Sequence, residues 1–477
     1  MIHLKILSIS IFLYNYDKFV LINYYGYLLG LILCFIMLEF HLKNFKEKKM
    51  NTFKKETLEY HIKGKTATKI TKPCKTQKEL SMAYSPGVAY PCLEIAEDPS
   101  LAYKYTNKGN TVAVISNGTA VLGLGNIGGL AGKPVMEGKA VLFKSFANVD
   151  AVDVILNIHD IDAIVDTCVA ISDTYGGINL EDIKAPECFE IERKLQERID
   201  IPVMHDDQHG TAIITSAGLL NALELADKKI EEIKIVIIGA GAAGIASANM
   251  YKNLGAKHIV MLDSKGVIHS GRTDLNKYKQ AFAVETEARS IADALNGADM
   301  MLGLSSADIV SPKMVETMAE NAIIFACANP NPEITPDKVE AVRPDIIVGT
   351  GRSDFPNQVN NVLGFPFIFR GALDSGAKKI TENMKMAAAK ALAALAKEPV
   401  PYYVKAAYND PDLAYGRKHI IPTPFSREAL VWVASAVAEA AFKDGVTNLS
   451  ACDLKGYQEK LRQMIYVDHQ EDSHINQ

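Results

Sequence analysis

Short apolar runs alternate with helix-like stretches between about Ala83 and Thr215. This alternation is typical of an α/β domain, in which buried strands are covered by amphipathic helices. The helix-like stretches are Asp160–Ser172 and Ala185–Arg198. The apolar runs, which we predict to be strands, are Thr111–Ser116, Val141–Phe143, Val152–Leu156 and Val203–His205.

A second α/β unit follows a predicted helix at about Ala212–Leu225. Its apolar runs are spaced as in a doubly wound parallel sheet. They are Lys234–Ile238, His258–Leu262, Met300–Leu304, Ile323–Ala326 and Ile346–Val348. Helices are predicted at Glu382–Lys397 and Glu428–Phe442. The fold class is therefore α/β: an N-terminal α/β domain at residues 50–214, a Rossmann-like dinucleotide-binding domain with C-terminal helices at 215–446, and a tail at 447–477.

The first 49 residues differ in composition from the rest, with no Ala, Pro or Arg. Their apolar run Phe19–Phe40 is long enough to span a bilayer, and the lysines after it would place the remainder in the cytoplasm. The alternative is that the segment is translated upstream DNA and that Met50 is the true start. Both interpretations leave the catalytic part of the chain in the cytoplasm.

Composition favours small-molecule chemistry over nucleic-acid binding. The 477 residues are 48% hydrophobic and 22% charged, which is enough for two or three packed domains. The net charge of −5 comes without a Lys/Arg stripe. The seven cysteines form no CxxC pair and no spacing suited to zinc, so we expect reduced, mostly buried thiols.

The motif GxGxxG occurs twice, and its context distinguishes the copies. The second copy follows a β-branched run, opens an Ala-rich helix and precedes Asp263, which ends the next predicted strand. This is the full fingerprint of a dinucleotide site, with backbone N–H groups facing the pyrophosphate and a carboxylate facing the ribose. The predicted cofactor-binding residues are Gly239, Ala240, Gly241, Ala242, Ala243, Gly244 and Asp263.

The first copy, Gly123–Gly128, has no such acidic partner. The Gly132-Lys133-Pro134 stretch after it predicts an early break in regular structure. We therefore expect these glycines to let the backbone approach a ligand or a neighbouring helix closely.

Six sequence blocks in one order resemble the malic enzyme family in its shorter bacterial form, over roughly Leu80 to Phe442. They are Ala83-Tyr84-Ser85-Pro86-Gly87-Val88-Ala89, Val121-Leu-Gly-Leu-Gly-Asn126, Glu137-Gly-Lys139-Ala-Val-Leu-Phe143, Leu180-Glu181-Asp182-Ile183, His205-Asp206-Asp207-Gln208-His209-Gly210-Thr211 and Asn360-Asn361-Val362. The resemblance implies oxidation and decarboxylation of (S)-malate to pyruvate and CO₂, with a divalent metal and NAD or NADP. It also implies a homodimer or higher homo-oligomer.

The resemblance assigns Glu181, Asp182 and Asp207 as ligands of Mg²⁺ or Mn²⁺, which prefer hard oxygen donors. It assigns Lys139 as the general base, a role that requires desolvation or cationic neighbours to lower its pKa. Tyr84 would be the general acid. The alternatives are solvated surface carboxylates, a surface lysine at the start of a strand, and a core tyrosine.

Asn329 and Asn361 correspond to residues that bind malate in the family, together with Lys139; either asparagine could instead be a turn or cap residue. Larger relatives carry a substrate-binding arginine where this chain has Ala120. The nearby polar residues Ser116, Asn117 and Thr119 are candidates to replace it.

The pattern leaves the choice of cofactor open. Asp263 favours the ribose hydroxyls of NAD, whereas Ser264 and Lys265 favour NADP; the resemblance tips the expectation slightly to NADP. Two other functions compete: a hydroxy-acid or amino-acid dehydrogenase that does not decarboxylate, and a non-catalytic, membrane-tethered relative. The first leaves the three carboxylates unexplained, and the second predicts that catalytic groups have been lost.

Overall fold

The computed structural model describes residues 52–447 and 452–475. The run Phe19–Phe40 lies outside them. Within those ranges, none of the helices combines the length and the apolar character needed to cross a bilayer. The chain divides into two compact units at Lys65, and the described part of the first is one helix, α1 at residues 52–60, followed by a turn.

The second unit contains the remaining helices and both sheets. Their bounds are α2 Gln77–Ala83, α3 Ala89–Glu97, α4 Ala102–Tyr105, β1 Thr111–Ser116, α5 Gly129–Ala147, β2 Asp150–Ile155, α6 Ile161–Ile171, β3 Gly177–Leu180, α7 Glu187–Arg198, β4 Val203–His205, α8 Asp206–Ala226, β5 Lys234–Ile238, α9 Ala242–Leu254, β6 His258–Asp263, β7 Gly266–Val267, α10 Lys277–Gln280, α11 Ile291–Leu295, β8 Met300–Gly303, α12 Pro312–Glu316, β9 Ile323–Ala326, α13 Pro336–Val342, β10 Ile347–Thr350, α14 Phe365–Asp374, α15 Glu382–Leu395, α16 Tyr402–Ala407, α17 Glu428–Lys443 and α18 Leu454–Ile475.

Each sheet is built on parallel strands, as expected for α/β patterning. The first has the strand order β2-β1-β3-β4. The second has the order β10-β9-β8-β5-β6-β7, and only β7 is antiparallel to its neighbour. In the second sheet the chain first places β6 and β7 on one side of β5 and then returns to place β8, β9 and β10 on the other side. Such sheets open a crevice for ligands where the strand order switches, here between β5 and β8. The expected α/β class with a Rossmann-like second sheet is confirmed.

Buried apolar strands form the centre of both sheets. All six residues of β1 are buried, which suits a strand covered on both faces. The long helix α8 connects the sheets and buries most of its length. Because α8 starts directly after β4, its first turn lies at the carboxyl edge of the first sheet.

Two predictions about the region after the first glycine motif are wrong. Val141–Phe143 is not a strand, and Lys133-Pro134 does not end regular structure, because both lie within α5. The buried positions Met136, Ala140, Phe143 and Ala147 are spaced by three or four residues, which is the period of a helix with one face in the core. A three-residue apolar run shows too little of this period to be distinguished from a strand.

The expectation of mostly buried cysteines is also only partly correct. In the described part of the chain six cysteines are free thiols. Cys168 and Cys188 are buried, whereas Cys74, Cys92 and Cys452 are exposed.

Candidate active site

Three carboxylates meet at the carboxyl edge of the first sheet. Glu181 and Asp182 follow β3, and Asp207 lies in the first turn of α8, which follows β4. Since β3 and β4 are parallel neighbours, with Leu180 opposite His205, their carboxyl ends lie side by side. One ligand oxygen from each carboxylate lies within 4.8 Å of the others. The structure therefore brings the three predicted metal ligands together.

The cluster has the chemistry that a divalent cation requires. Glu181 and Asp182 are buried, and Asp207 is partly buried. The backbone N–H of Asp182 donates to Oδ2 of Asp207 over 2.7 Å, which fixes the two residues relative to each other. Concentrating three negative side chains in a poorly solvated place is unfavourable unless a cation offsets their charge. The donors are all hard oxygens, which fit Mg²⁺ or Mn²⁺.

Lys139 lies against this cluster rather than at the surface. It projects from α5, and its Nζ lies 2.5 Å from Oδ2 of Asp206 and 3.1 Å from Oε1 of Glu181. Its side chain is 9% exposed and lies over the ring of Phe365. Burial lowers the pKa of Lys139, but the surrounding carboxylates outweigh burial and raise the pKa above its usual value. Without a bound cation, Lys139 is thus held as an ammonium, opposite to the lowered pKa expected for a base.

The predicted substrate-binding asparagines line the same cavity. The cavity has a volume of about 700 Å³ and is bordered by Lys139, the three carboxylates, Ala120, Asn329 and Asn361. The Nδ2 group of Asn361 donates to Oδ2 of Asp206 over 2.6 Å, so Asp206 connects this asparagine with Lys139.

Ser116, Asn117 and Thr119 do not border this cavity. Their side chains hold the loop after β1: Oγ of Ser116 accepts the N–H of Gly118, and Oδ1 of Asn117 accepts the hydroxyl of Thr119. The hydroxyl oxygen of Thr119 accepts the N–H of Lys184. These contacts give the three residues a structural role in the described chain.

The second glycine motif lies beside the same cavity. Gly239 follows β5 with φ of 124°, and Gly241 precedes the first residue of α9. A Cβ on Gly244 would lie 1.9 Å from the carbonyl oxygen of Gly239, so only glycine allows this turn. Ala243 lines the cavity, which places the helix N-terminus within reach of a ligand there. Asp263 ends β6, one strand away.

The first glycine motif makes a close backbone approach, but its partner is the loop after β9 and not the ligand or helix that we expected. A Cβ on Gly123 would lie 2.4 Å from the carbonyl oxygen of Asn329. This contact positions the Asn329 loop at the cavity wall.

Tyr84 is the one predicted catalytic residue that lies outside this arrangement. It is the residue after α2, its side chain is 71% exposed, and it does not border the cavity. In the described chain, no residue between 66 and 110 is buried, although Leu80, Tyr90 and Leu93 are apolar or aromatic. Within the described residues, the segment that carries Tyr84 therefore places no side chain in the core.

Sequence reasoning missed a buried charged network behind the carboxylate cluster. Glu192 on α7 accepts the backbone N–H of His205 and contacts the ring Nε2 of His209, both over 2.9 Å. Nζ of Lys385 lies 3.1 Å from Nδ1 of His209. His209 belongs to the block that carries Asp206 and Asp207, but neither Glu192 nor Lys385 stands in a block that could have identified it.

A buried lysine, three clustered carboxylates and a Rossmann-type glycine loop around one cavity are features of a dinucleotide-dependent oxidoreductase. Two family models cover most of the second unit: "Malic enzyme, N-terminal domain" matches residues 63–196, and "Malic enzyme, NAD binding domain" matches residues 208–403. The chain belongs to the malic enzyme family.

Relatives and solved structures agree with the family models. An NADP-dependent malic enzyme of Halomonas elongata is 57% identical over 82% of this chain and 93% of its own length. An NADP-dependent malic enzyme of Escherichia coli is 53% identical, but the match covers only 54% of that longer protein. The crystal structure of malic enzyme from Pyrococcus horikoshii is 41% identical, with a TM-score of 0.80 over 89% of this chain and 98% of that one.

Proposed function

We propose that the protein oxidises and decarboxylates (S)-malate to pyruvate and CO₂ with NAD or NADP as the hydride acceptor. The observation that carries this proposal is the single cavity shared by Lys139, the three carboxylates and the glycine loop. A metal-independent dehydrogenase leaves the three carboxylates unexplained, and a non-catalytic relative leaves the buried lysine beside them unexplained.

Glu181, Asp182 and Asp207 would hold Mg²⁺ or Mn²⁺. When bound, such an ion polarises the hydroxyl and later the keto oxygen of the substrate, and it offsets the negative charge around Lys139. Asn329 and Asn361 border the cavity. Their amide groups would bind the substrate carboxylates.

Lys139 would accept the hydroxyl proton while the hydride from the same carbon passes to the nicotinamide. Asp206 lies 2.5 Å from Nζ of Lys139 and is buried, so it can hold the lysine in place and take up a proton from it. The carbanion left by loss of CO₂ is the enolate of pyruvate, and protonation of its carbon would complete the reaction.

Tyr84 would supply that last proton. Its exposure, and the lack of buried residues between 66 and 110, indicate that this segment finds its packing partners outside the described chain. We therefore propose that the protein acts as a homo-oligomer, in which the apolar side chains of this segment are covered.

The reaction is tested by following the reduction of NAD and NADP with malate and Mn²⁺, together with the release of pyruvate and CO₂. Reduction without CO₂ would favour the non-decarboxylating dehydrogenase. Asp207→Asn should abolish turnover and should also abolish the rise in melting temperature that Mn²⁺ produces, since binding to the folded state stabilises it. An unchanged Mn²⁺ effect on the melting temperature in this variant would contradict the cation site.

A further inference from the structure

Asp263 does not have a free acceptor for a ribose. In a Rossmann sheet, the carboxylate that ends the second strand usually accepts hydrogen bonds from the 2′- and 3′-hydroxyls of NAD. Here Oδ1 of Asp263 accepts the backbone N–H of Lys265 over 3.0 Å and Nη1 of Arg272 over 2.8 Å. Its Oδ2 accepts Nη2 of Arg272 over 3.1 Å and Nζ of Lys279 over 2.7 Å.

These four donors fill the acceptor positions of one carboxylate, which number about four. The ribose of NAD could bind Asp263 only by displacing one of them. Arg272 is the hardest to displace, because its side chain is 9% exposed and donates to both oxygens of Asp263. It is held from the other side by Asp274, whose oxygens accept Nε and Nη2 of Arg272.

The cluster as a whole carries an excess of positive charge. Its three cations are Lys265, Arg272 and Lys279, and its two carboxylates are Asp263 and Asp274. The ammonium groups of Lys265 and Lys279 lie at the accessible side, with side chains 68% and 26% exposed. A phosphate monoester carries a charge of about −1.5 to −2 at neutral pH, which the excess positive charge of this cluster partly offsets.

We propose that Arg272 determines the choice of cofactor: by engaging both oxygens of Asp263 it removes the ribose acceptor. The exposed ammonium groups of Lys265 and Lys279, which pair with Asp274 and Asp263 in this structure, then turn to bind the 2′-phosphate of NADP. Arg272 is a positioning residue in this scheme, and the two lysines make the contact. The inference rests on the proposed dinucleotide site at the second glycine motif.

Binding of nucleotide fragments to the full chain tests this inference without turnover. By calorimetry, adenosine 2′,5′-bisphosphate should bind at least about tenfold more tightly than adenosine 5′-monophosphate, as expected for charge-assisted contacts. Arg272→Gln should reduce that preference to near unity and should improve the binding of NADH relative to NADPH. Lys279→Gln, at a more exposed position, should weaken only the bisphosphate.

A matched control removes a lysine from an exposed ion pair elsewhere in the same unit: Lys338→Gln, whose partner is Asp308. This variant should bind adenosine 2′,5′-bisphosphate in preference to adenosine 5′-monophosphate as strongly as the unchanged protein does. Equal binding of both fragments to the unchanged protein, or a full preference in folded Arg272→Gln, would overturn the assignment and leave the proposed reaction intact. If neither NADH nor NADPH bound, the proposed function would fail as well.

Discussion

Lys139 is a buried lysine whose surroundings in the cavity are mainly negatively charged. Its ammonium contacts two carboxylates, and a lysine can act as a base only when it is deprotonated. We expect Lys139→Ala to reduce malate oxidation by about 10² to 10⁴-fold, which is the usual contribution of a positioned base. Fluorescence of bound NADPH should show unchanged cofactor binding. The glycine loop connects β5 and α9, whereas Lys139 lies on α5.

Lys144→Ala is the matched control for this experiment. It removes a lysine from the same helix, but that lysine is 56% exposed and pairs with Asp150. Normal turnover in Lys144→Ala, together with full turnover in Lys139→Ala, would show that Lys139 is not the base.

At the same scale, the resemblance to the malic enzyme family named three carboxylates that the structure brings together. Glu181, Asp182 and Asp207 were expected to act together, and the parallel pairing of β3 with β4 places them side by side. The hydrogen bonds that occupy the oxygens of Asp263 could not be predicted. Arg272 and Lys279 reach this carboxylate from a loop and a short helix whose course no periodic pattern indicates.

Among the elements, α7 and α8 are connected through the buried side chain of Glu192. Burial alone would raise its pKa, but His209, Lys385 and His205 outweigh burial and lower the pKa to about 2. Glu192→Gln removes a buried carboxylate that accepts hydrogen bonds from His205 and His209, so we expect a loss of about 3 kcal/mol in the free energy of unfolding. Urea denaturation at pH 7 measures this loss of unfolding free energy.

The pH dependence of this loss has a definite sign. A carboxyl whose pKa falls from 4.5 to about 2 on folding stabilises the folded state above pH 4.5. That contribution disappears as the pH falls from about 4.5 towards 2. The difference in the free energy of unfolding between Glu192→Gln and the unchanged protein should therefore become smaller on acidification. Glu190→Gln, on the same helix but in an exposed network with Arg193 and Lys277, should cost less than about 1 kcal/mol. Equal losses of unfolding free energy in the two variants would show that the buried network does not stabilise the protein more than the exposed one.

The turn between β5 and α9 depends on glycine at one position more than at another. A side chain on Gly244 would meet the carbonyl oxygen of Gly239 at 1.9 Å, whereas one on Gly241 would meet no atom within 4 Å. Gly244→Ala should therefore destabilise the protein by about 1 to 3 kcal/mol, as overpacking does. Gly241→Ala should leave the melting temperature nearly unchanged, and a similar drop in both variants would contradict the close approach.

The strands whose bounds the sequence patterns predicted are buried along almost their whole length. The spans of β1, β4, β5 and β9 agree with the predicted strands, because a run of buried residues has few alternatives between turn signals. The strand β3 was missed, since Gly177–Leu180 is four residues long and contains glycine and asparagine. Its position depends on pairing with β1 and β4, which is information that a local pattern does not contain.

At the scale of the whole molecule, the exposed segment between residues 66 and 110 argues for assembly. If a second copy covers it, Tyr84 of one copy can reach the cavity of the other, and a site then combines Tyr84 and Lys139 from different chains. Tyr84→Phe and Lys139→Ala should each be inactive alone. In a dimer of one copy of each, one site has both residues intact, so an equal mixture that exchanges subunits randomly should recover about one quarter of the unchanged activity. If mass spectrometry verifies subunit exchange and no activity is recovered, Tyr84 acts in the site of its own chain. A protein that stays monomeric in light scattering would refute the proposed assembly.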